Sequence, residues 1–384
     1  MMTEIKERRS PQKKPLSTEW DPWDPWYIRN RTGRHQLTSV EFTVTQLCNL
    51  RCEHCAVGEM LVTEEGVPLP VDQLIRRLDE VKTLQTLSIT GGEPVLNPRV
   101  VKRTIQPLLR YAKERGIYTQ INSNLTLPLS RYEDWVEDVD VLHISYNYRD
   151  AKDFHRIAFE KYGRDVTPAV AEKLFDQMVD NAKALSRKGV FLSAETLLSP
   201  FTVSHVADMH RDVAAMGCQR HEVHPLYQSD FAKGMGIVSL DQYRKTIHHL
   251  LDNREEGVWI LFGTLPFYPC SEQEPDRDLW LRLHQEQNVT VRQDPDGRNR
   301  LNINAFTGDV IVTDFGDVPP LGNVLSDRLD DIFNRWLKHP LVHQYHCFCP
   351  EARCTGPNIL VAEMYYPEAD FQSRNALVSV QPEE

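Results

Sequence analysis

The sequence has no excess of positive charge, because 44 lysine and arginine residues stand against 55 aspartate and glutamate residues, for a net charge of −11. This acidic balance repels a phosphate backbone, so we do not expect a nucleic acid partner. A long apolar run is also missing, and the basic cluster from Lys6 to Lys14 lies in a start that contains Pro and Ser. Signal peptides and membrane spans need an apolar run. We therefore expect a cytoplasmic protein without membrane association.

The remaining composition is that of an ordinary folded protein, with 41% hydrophobic and 26% charged residues. It excludes a disordered or fibrous class, and 384 residues suggest two domains or one barrel with an appended module. Six of the eight cysteines lie in two tight groups. Clustered thiols in a chain without a secretion signal indicate metal or redox chemistry rather than a disulfide framework.

Short apolar runs alternate with amphipathic helical patterns from Ser39 to about Tyr227. This alternation predicts an α/β fold with parallel strands joined by right-handed crossovers. Six strand-helix units favour a partial (β/α)6 barrel over a closed eight-stranded one. The six predicted strands are VEFTVTQ, TLSITG, IYTQINS, VLHISYN, VFLSAET and EVHPLY.

The chain is divided by this pattern into three parts: an N-terminal arm at 1–37, a core domain at 38–262 and a smaller cysteine-rich module at 263–384. The arm carries Pro and three tryptophans without steady periodicity, and we expect the tryptophans to pack on a domain surface. In the third part, RLNINAFTGDVIVTD predicts a hairpin with its turn at Thr307 and Gly308, followed by a helix in LDDIFNRWLKH.

The first cysteine group is Cys48, Cys52 and Cys55, spaced C-x3-C-x2-C directly after the first predicted strand. Parallel α/β folds place active sites at this edge of the sheet. A zinc site would need a fourth ligand, for which His54 is the obvious candidate, although its position between two cysteines makes chelation awkward. Three thiolates on a four-iron cubane would leave one iron open to an exogenous ligand.

The loop LCNLRCEHC resembles the signature of the radical S-adenosylmethionine (SAM) superfamily, whose open iron chelates the amino and carboxylate groups of SAM. The segment that follows the second strand is similar to the GGEP segment of that superfamily. The resemblance implies that its backbone and its carboxylate contact the methionine amino group of SAM. The residues of this segment are Gly91, Gly92, Glu93 and Pro94.

The resemblance also implies roles for polar residues at the ends of later strands. They would hold the carboxylate and ribose of SAM, and His224 to Tyr227 would cradle the adenine together with His54, which stands where relatives often carry Phe or Tyr. Ordinary capping of strand ends is the alternative for several of them. The predicted SAM-contacting residues are Asn122, Ser123, Asn124, Ser145, Asn147 and Glu195.

The second cysteine group is Cys347, Cys349 and Cys354, with Cys270 as the only other cysteine of the third part. Four thiolates would close every iron of an auxiliary 4Fe–4S cluster, and a structural zinc site is the alternative. Residues 308–332 resemble the linker of SPASM and twitch extensions, which carry such clusters. Relatives have Pro-Cys where this chain has Val312 and Thr313, so we expect one auxiliary cluster and not two.

A radical SAM core followed by C-x-C-x4-C is similar to the radical SAM/CxCxxxxC-motif proteins typified by YfkAB. The remaining cysteine, Cys218, is interpreted as a small buried residue, with hydrogen-atom donation to a substrate radical as the alternative.

The resemblance implies an enzyme that cleaves SAM reductively to a 5′-deoxyadenosyl radical, which then abstracts a hydrogen atom from a substrate. A flavodoxin or ferredoxin would supply the low-potential electron. The leading substrate class is a peptide or protein. A small-metabolite substrate and a nonenzymatic zinc- or iron–sulfur-binding protein stay open as alternatives.

Overall fold

The computed structural model describes residues 12–163, 165–293, 297–312 and 318–371. Outside these residues lie the first eleven residues of the predicted arm, with most of its basic cluster, Thr313 in the predicted linker, and the last thirteen residues of the predicted third part.

All strands of the described residues belong to one sheet of eleven strands. Their bounds are β1 Ser39–Thr43, β2 Thr86–Thr90, β3 Tyr118–Ser123, β4 Val141–Ser145, β5 Leu192–Leu198, β6 Arg220–Pro225, β7 Trp259–Gly263, β8 Val289–Arg292, β9 Arg300–Asn304, β10 Asp309–Ile311 and β11 Gly322–Asn323.

The α-helices fill most of the connections between these strands. Their bounds are α1 Pro25–Thr32, α2 Val71–Glu80, α3 Pro98–Val100, α4 Gln106–Arg115, α5 Ser130–Glu133, α6 Ala151–His155, α7 Pro168–Arg187, α8 Val206–Ala215, α9 Leu240–Asp252, α10 Glu274–Gln285, α11 Leu329–Leu337, α12 Pro340–Gln344 and α13 Ile359–Tyr365.

The order of the strands is β11-β10-β9-β1-β2-β3-β4-β5-β6-β7-β8, and every adjacent pair between β9 and β8 is parallel. Residues of β1 to β6, β8 and β9 line one cavity, so the sheet curls into an open barrel. The predicted α/β fold is confirmed. The predicted hairpin is also present, as antiparallel β9 and β10 with Gly308 at a φ of +78° in the turn.

Local sequence signals set several helix ends. The Asp24 side chain accepts a hydrogen bond from the Trp26 amide and caps α1, which has Pro25 at its first position. A capping box between Ser239 and Gln242 begins α9. Gly116, with a φ of +69°, ends α4 in the left-handed conformation that favours glycine.

Side chains alternate between the two faces of the curled sheet. On β1, Val40 and Phe42 are fully buried in the hydrophobic core, whereas Glu41 between them lines the cavity. The same alternation on β2 buries Leu87 and Ile89 and turns Ser88 inward. The interior of the barrel is therefore polar, unlike the packed apolar interior of a closed α/β barrel.

The sheet does not end with the six strands expected from the sequence. β7 pairs with β6 and β8 with β7, while β9 pairs with β1 at the other edge, in the register Ser39 to Arg300. The segment predicted as a separate module at 263–384 thus supplies strands to both edges of the core sheet. β8 has only four residues, and the partner of β9 is distant in sequence, so neither pairing is visible in a local pattern.

The N-terminal arm packs into the barrel and against the C-terminal cysteine loop. Trp23 lines the cavity and donates from its indole nitrogen to Ser88 at 3.0 Å. The Arg353 guanidinium lies 3.2 Å from the Asp24 carboxylate and over the Trp26 ring. Within the described part of the chain, no helix is long and apolar enough to cross a membrane.

Candidate functional site

The first cysteine group lies on the loop that follows β1, and all three cysteines line the cavity of about 320 Å³ inside the barrel. The start of this loop is held by Glu65, whose Oε2 accepts hydrogen bonds from the Thr45 hydroxyl and from the Gln46 amide at 3.1 Å. The structure therefore brings together the three thiols that the spacing predicted.

Hydrogen-bonding groups reach the sulfur atoms of two of these thiols. The Leu50 amide donates to Cys48 Sγ at 3.4 Å, and the Tyr148 hydroxyl lies 3.2 Å from Cys52 Sγ. Burial raises the pKa of Cys52 to about 11 and that of Cys55 to about 12, with a further contribution to Cys55 from the neighbouring Cys52. Binding to iron would have to displace these protons.

The donor set fits the predicted cluster, because three thiols face one cavity and leave space beside them for an exogenous ligand. Cys48, Cys52 and Cys55 are the residues that would hold it. Among the described residues, no group of three or more His, Cys, Asp or Glu side chains converges on a single metal ion, whereas the cysteine ligands of a cubane each bind a different iron.

The two glycines after β2 let the cysteine loop approach the sheet closely. The Gly92 amide donates to Thr45 O at 2.9 Å, and the Glu93 amide donates to Leu47 O at 2.7 Å. A Cβ on Gly91 would lie 2.3 Å from Thr45 O, and one on Gly92 would lie 2.2 Å from Leu47 O. Both glycines line the cavity, as predicted for a backbone that approaches a ligand.

Glu93, predicted to contact SAM, has two protein partners for its carboxylate. Its side chain is fully buried and is not among the residues that line the cavity, and Pro94 is likewise buried outside the lining. Glu93 Oε1 accepts from the Ser123 hydroxyl at 2.9 Å, and Oε2 accepts from the Asn124 amide at 2.8 Å. The carboxylate is used to fix the end of β3, so its contact with the cavity is indirect.

Asn122 and Asn124, at the end of β3, both line the cavity together with Ser123. The Asn124 side chain donates to Asn49 Oδ1 at 2.9 Å and lies 3.9 Å from Cys48 Sγ. This strand end therefore contacts the cysteine loop directly.

Ser145, Asn147 and His54 form a second polar wall of the cavity. Asn147 Nδ2 is 3.4 Å from His54 Nε2, and its Oδ1 accepts from the Leu197 amide at 2.7 Å. Burial lowers the pKa of His54 to about 4, so the imidazole is neutral at physiological pH. His224 and Tyr227 line the same cavity further along the sheet.

Glu195 lines the cavity and accepts a hydrogen bond at 2.7 Å from His143 Nε2. Sequence reasoning did not identify His143 or Glu222, which continue this contact into the barrel. A sequence signal for both residues exists, because each alternates with apolar residues inside a predicted strand. Charged residues on the inward face of a strand indicate a polar interior.

The second cysteine group forms a compact loop near Cys270. Cys349 and Cys354 exchange two backbone hydrogen bonds, at 2.9 and 3.0 Å, and both are buried, as is Cys347. Burial raises the pKa of Cys354, and the neighbouring Cys349 and Cys270 raise it further. The structure thus brings Cys270 close to the C-x-C-x4-C loop, and four thiols fit a closed cluster.

Cys218 lies elsewhere, in the hydrophobic core between α8 and β6. Burial alone raises its pKa to about 12. It is absent from the cavity lining, which agrees with its interpretation as a small buried residue.

Two family models match the chain: the radical SAM superfamily at residues 42–213 and the YfkB-like domain at residues 226–376. The chain is 50% identical over 364 residues to the putative protein YfkA of Bacillus subtilis (strain 168), an alignment that covers 94% of this chain and 98% of that protein.

A second relative is the antilisterial bacteriocin subtilosin biosynthesis protein AlbA of the same organism, at 22% identity over 348 residues that cover 83% of this chain and 65% of that protein. Among solved structures, native anSMEcpe with bound AdoMet and Cp18Cys peptide has a similar fold, with a TM-score of 0.61 and 15% identity, over 89% of this chain and 94% of that chain.

These matches confirm the predicted family, the enzyme class, and SAM and a 4Fe–4S cluster as cofactors. The chain belongs to the radical SAM superfamily, in the family of YfkA, and its C-terminal part is a YfkB-like domain.

Proposed function

We propose that this enzyme cleaves SAM reductively and abstracts a hydrogen atom from a peptide or protein substrate. One observation carries the proposal: the three cysteines after β1, the two glycines after β2 and polar side chains on or just after β3, β4 and β5 line a single cavity. When bound, the 4Fe–4S cluster and SAM supply the electron transfer and the 5′-deoxyadenosyl radical.

The residues of the chain have separate tasks in this proposal. Cys48, Cys52 and Cys55 hold the cluster, and the backbone at Gly91 and Gly92 allows the methionine end of SAM to approach. Asn122, Asn124, Ser145, Asn147 and Glu195 orient the carboxylate and ribose, and His54 packs on the adenine. The buried surroundings exclude water from a reactive intermediate.

The C-terminal cysteines would hold an auxiliary 4Fe–4S cluster, with Cys270 as the fourth ligand to those of Cys347, Cys349 and Cys354. A flavodoxin or ferredoxin is the proposed electron donor. Thiolate ligands require a reducing compartment, which supports a cytoplasmic location.

A peptidyl substrate is supported by two of the proteins compared above. AlbA is named for the biosynthesis of a bacteriocin, and the structurally similar anSMEcpe was solved with a peptide bound. The cavity walls carry carboxylates, guanidiniums and amides, which can bind the polar groups of a peptide.

The test is production of 5′-deoxyadenosine by the anaerobically reconstituted, dithionite-reduced protein, measured by mass spectrometry. Deuterated precursor-type peptides should increase the rate and transfer deuterium to the 5′-deoxyadenosine. The triple variant Cys48→Ala, Cys52→Ala, Cys55→Ala is the matched control and should be inactive. Absence of SAM cleavage by the wild type would overturn the proposal. Deuterium transfer only from a pool of labelled small metabolites would mean that the substrate is a small metabolite and not a peptide.

A further inference from the structure

A row of alternating charges runs from the N-terminal arm through the barrel to the cavity. Asp21 on the arm binds Arg292 of β8 at 2.9 Å, and the same guanidinium binds Glu222 of β6 at 2.8 Å. His143 of β4 lies between Glu222, at 3.5 Å, and Glu195 of β5, at 2.7 Å. The signs alternate at every step if His143 is protonated.

The position of His143 favours the imidazolium form. Its Nε2 faces the Glu195 carboxylate and its Nδ1 faces the Glu222 carboxylate, so a neutral ring would direct a nitrogen lone pair toward one anion. Burial opposes the charged form, but Glu222 and Glu195 outweigh it and raise the pKa of His143 to about 9. Both carboxylates contact the His143 ring directly.

Glu222 is the fixed end of this arrangement. In addition to Arg292, it accepts from the Ser193 hydroxyl at 3.0 Å and pairs with the Arg220 guanidinium at 2.5 Å. Its side chain is 2% exposed and that of His143 is 4% exposed, whereas that of Glu195 is 29% exposed. Glu195 is thus the member of the trio that opens most into the cavity.

We infer that His143 is a positioning residue, which holds the Glu195 carboxylate toward the ligand in the cavity by bridging it to Glu222. Glu195 Oε2 is engaged by His143, and within the part of the chain that the structure describes no protein hydrogen bond reaches Oε1. Oε1 can therefore accept from a hydroxyl of the SAM ribose. This inference rests on the proposed function, which places SAM beside Glu195.

The experiment measures the SAM dissociation constant of the anaerobically reconstituted full chain by equilibrium dialysis from pH 7 to 10. The variants are Glu195→Gln, His143→Gln and the double variant, with His249→Gln on the exposed face of α9 as the matched control. Iron content is measured for each variant, so that weak binding is not confused with cluster loss. SAM itself titrates in this range, so the ratio of variant to wild type is compared at each pH.

We expect each single variant to weaken SAM binding about tenfold at pH 7, equivalent to about 1.4 kcal/mol. The double variant should bind SAM no more weakly than Glu195→Gln does, because both changes remove the same interaction. The ratio for His143→Gln should fall toward one as pH rises through 9, because wild-type His143 then loses its proton. Restoring about half of the lost affinity with His143→Lys, which keeps the charge, would also support a positioning role.

Two results would overturn the inference: wild-type affinity in His143→Gln at every pH, or independent, multiplying losses in the double variant. If His143→Gln fails to load iron, Glu222→Gln replaces it with the same expected ratio and pH dependence. A wild type that binds SAM as described but never forms 5′-deoxyadenosine would contradict the proposed function and leave this inference standing.

Discussion

Glu93 accepts a hydrogen bond at 2.8 Å from the backbone amide of Asn124. This hydrogen bond joins the segment after β2 to the end of β3, and the Asn124 side chain in turn contacts Asn49 and Cys48. A residue outside the cavity therefore controls the geometry of residues that line it.

Glu93→Gln should destabilise the protein by about 1–3 kcal/mol, because an amide cannot satisfy both donors as a carboxylate does. It should weaken SAM binding only through displacement of Asn124. Chemical denaturation and SAM dialysis provide the measurements, and Glu133→Gln, in an exposed pair with Lys188, is the control. Unchanged stability would contradict the assigned contact.

The stability of the protein should also respond to the protonation of Glu93. Burial raises the pKa of Glu93 to about 7, although its hydrogen bonds with Asn124 and Ser123 act in the opposite direction. Because the folded pKa lies above the ordinary value, protonation of Glu93 favours the folded state. Its contribution to the free energy of unfolding is fully present below about pH 4.5 and is lost as pH rises through 7. The difference in unfolding free energy between wild type and Glu93→Gln should therefore change across this window.

Gly92→Ala should displace the cysteine loop, since the new Cβ would lie 2.2 Å from Leu47 O and 3.1 Å from Cys48 Cβ. We expect a loss of about four irons per chain and of SAM cleavage, with the C-terminal cluster retained. Iron analysis measures this loss. Gly257→Ala has open space around its added Cβ and should keep the full complement. Normal loading of Gly92→Ala would show that the loop can move away.

Wild-type protein should bind about eight irons per chain, and the triple alanine variant of Cys48, Cys52 and Cys55 should bind about four. The remaining iron should belong to the C-terminal site. Iron and zinc analysis with Mössbauer spectroscopy checks both numbers. Zinc that persists at the C-terminal site after reconstitution would contradict the two-cluster prediction.

Cys270→Ala should lose the C-terminal cluster, because its thiol lies near those of Cys347 and Cys354. Cys218→Ala should keep both clusters, since this residue packs in the apolar core. Spectra recorded in the triple alanine background isolate the C-terminal signal. The opposite outcome for the two variants would mean that the fourth ligand was exchanged with the core cysteine.

The sequence predicted the fold to the extent that its signals are local. The six core strands follow their apolar runs, and the hairpin of β9 and β10 forms around Gly308. The pairing of β9 with β1 could not be predicted in this way, because it joins residues 261 positions apart, from Ser39 to Arg300. Strand pairing across such a distance depends on the packing of the whole sheet.

In the candidate site, too, the features within one loop were predictable and the contacts between distant segments were not. The cysteines and glycines were evident from their spacing, since each motif lies on one loop. The protein partners of Glu93 could not be predicted, because Ser123 and Asn124 lie about 30 positions away in the sequence. His143 was missed because its proposed function depends on carboxylates from two other strands, Glu195 on β5 and Glu222 on β6.

The pairing of β1 with β9 has a consequence for how the protein is made. At about 5–20 residues per second, the ribosome needs roughly 13 to 50 s after completing β1 before it reaches β9. During that time β1 is an edge strand, and edge strands readily pair with other chains. The loop that follows β1 carries Cys48, Cys52 and Cys55, so the nascent chain exposes an unprotected strand beside three thiols until β9 at Arg300–Asn304 has been synthesised.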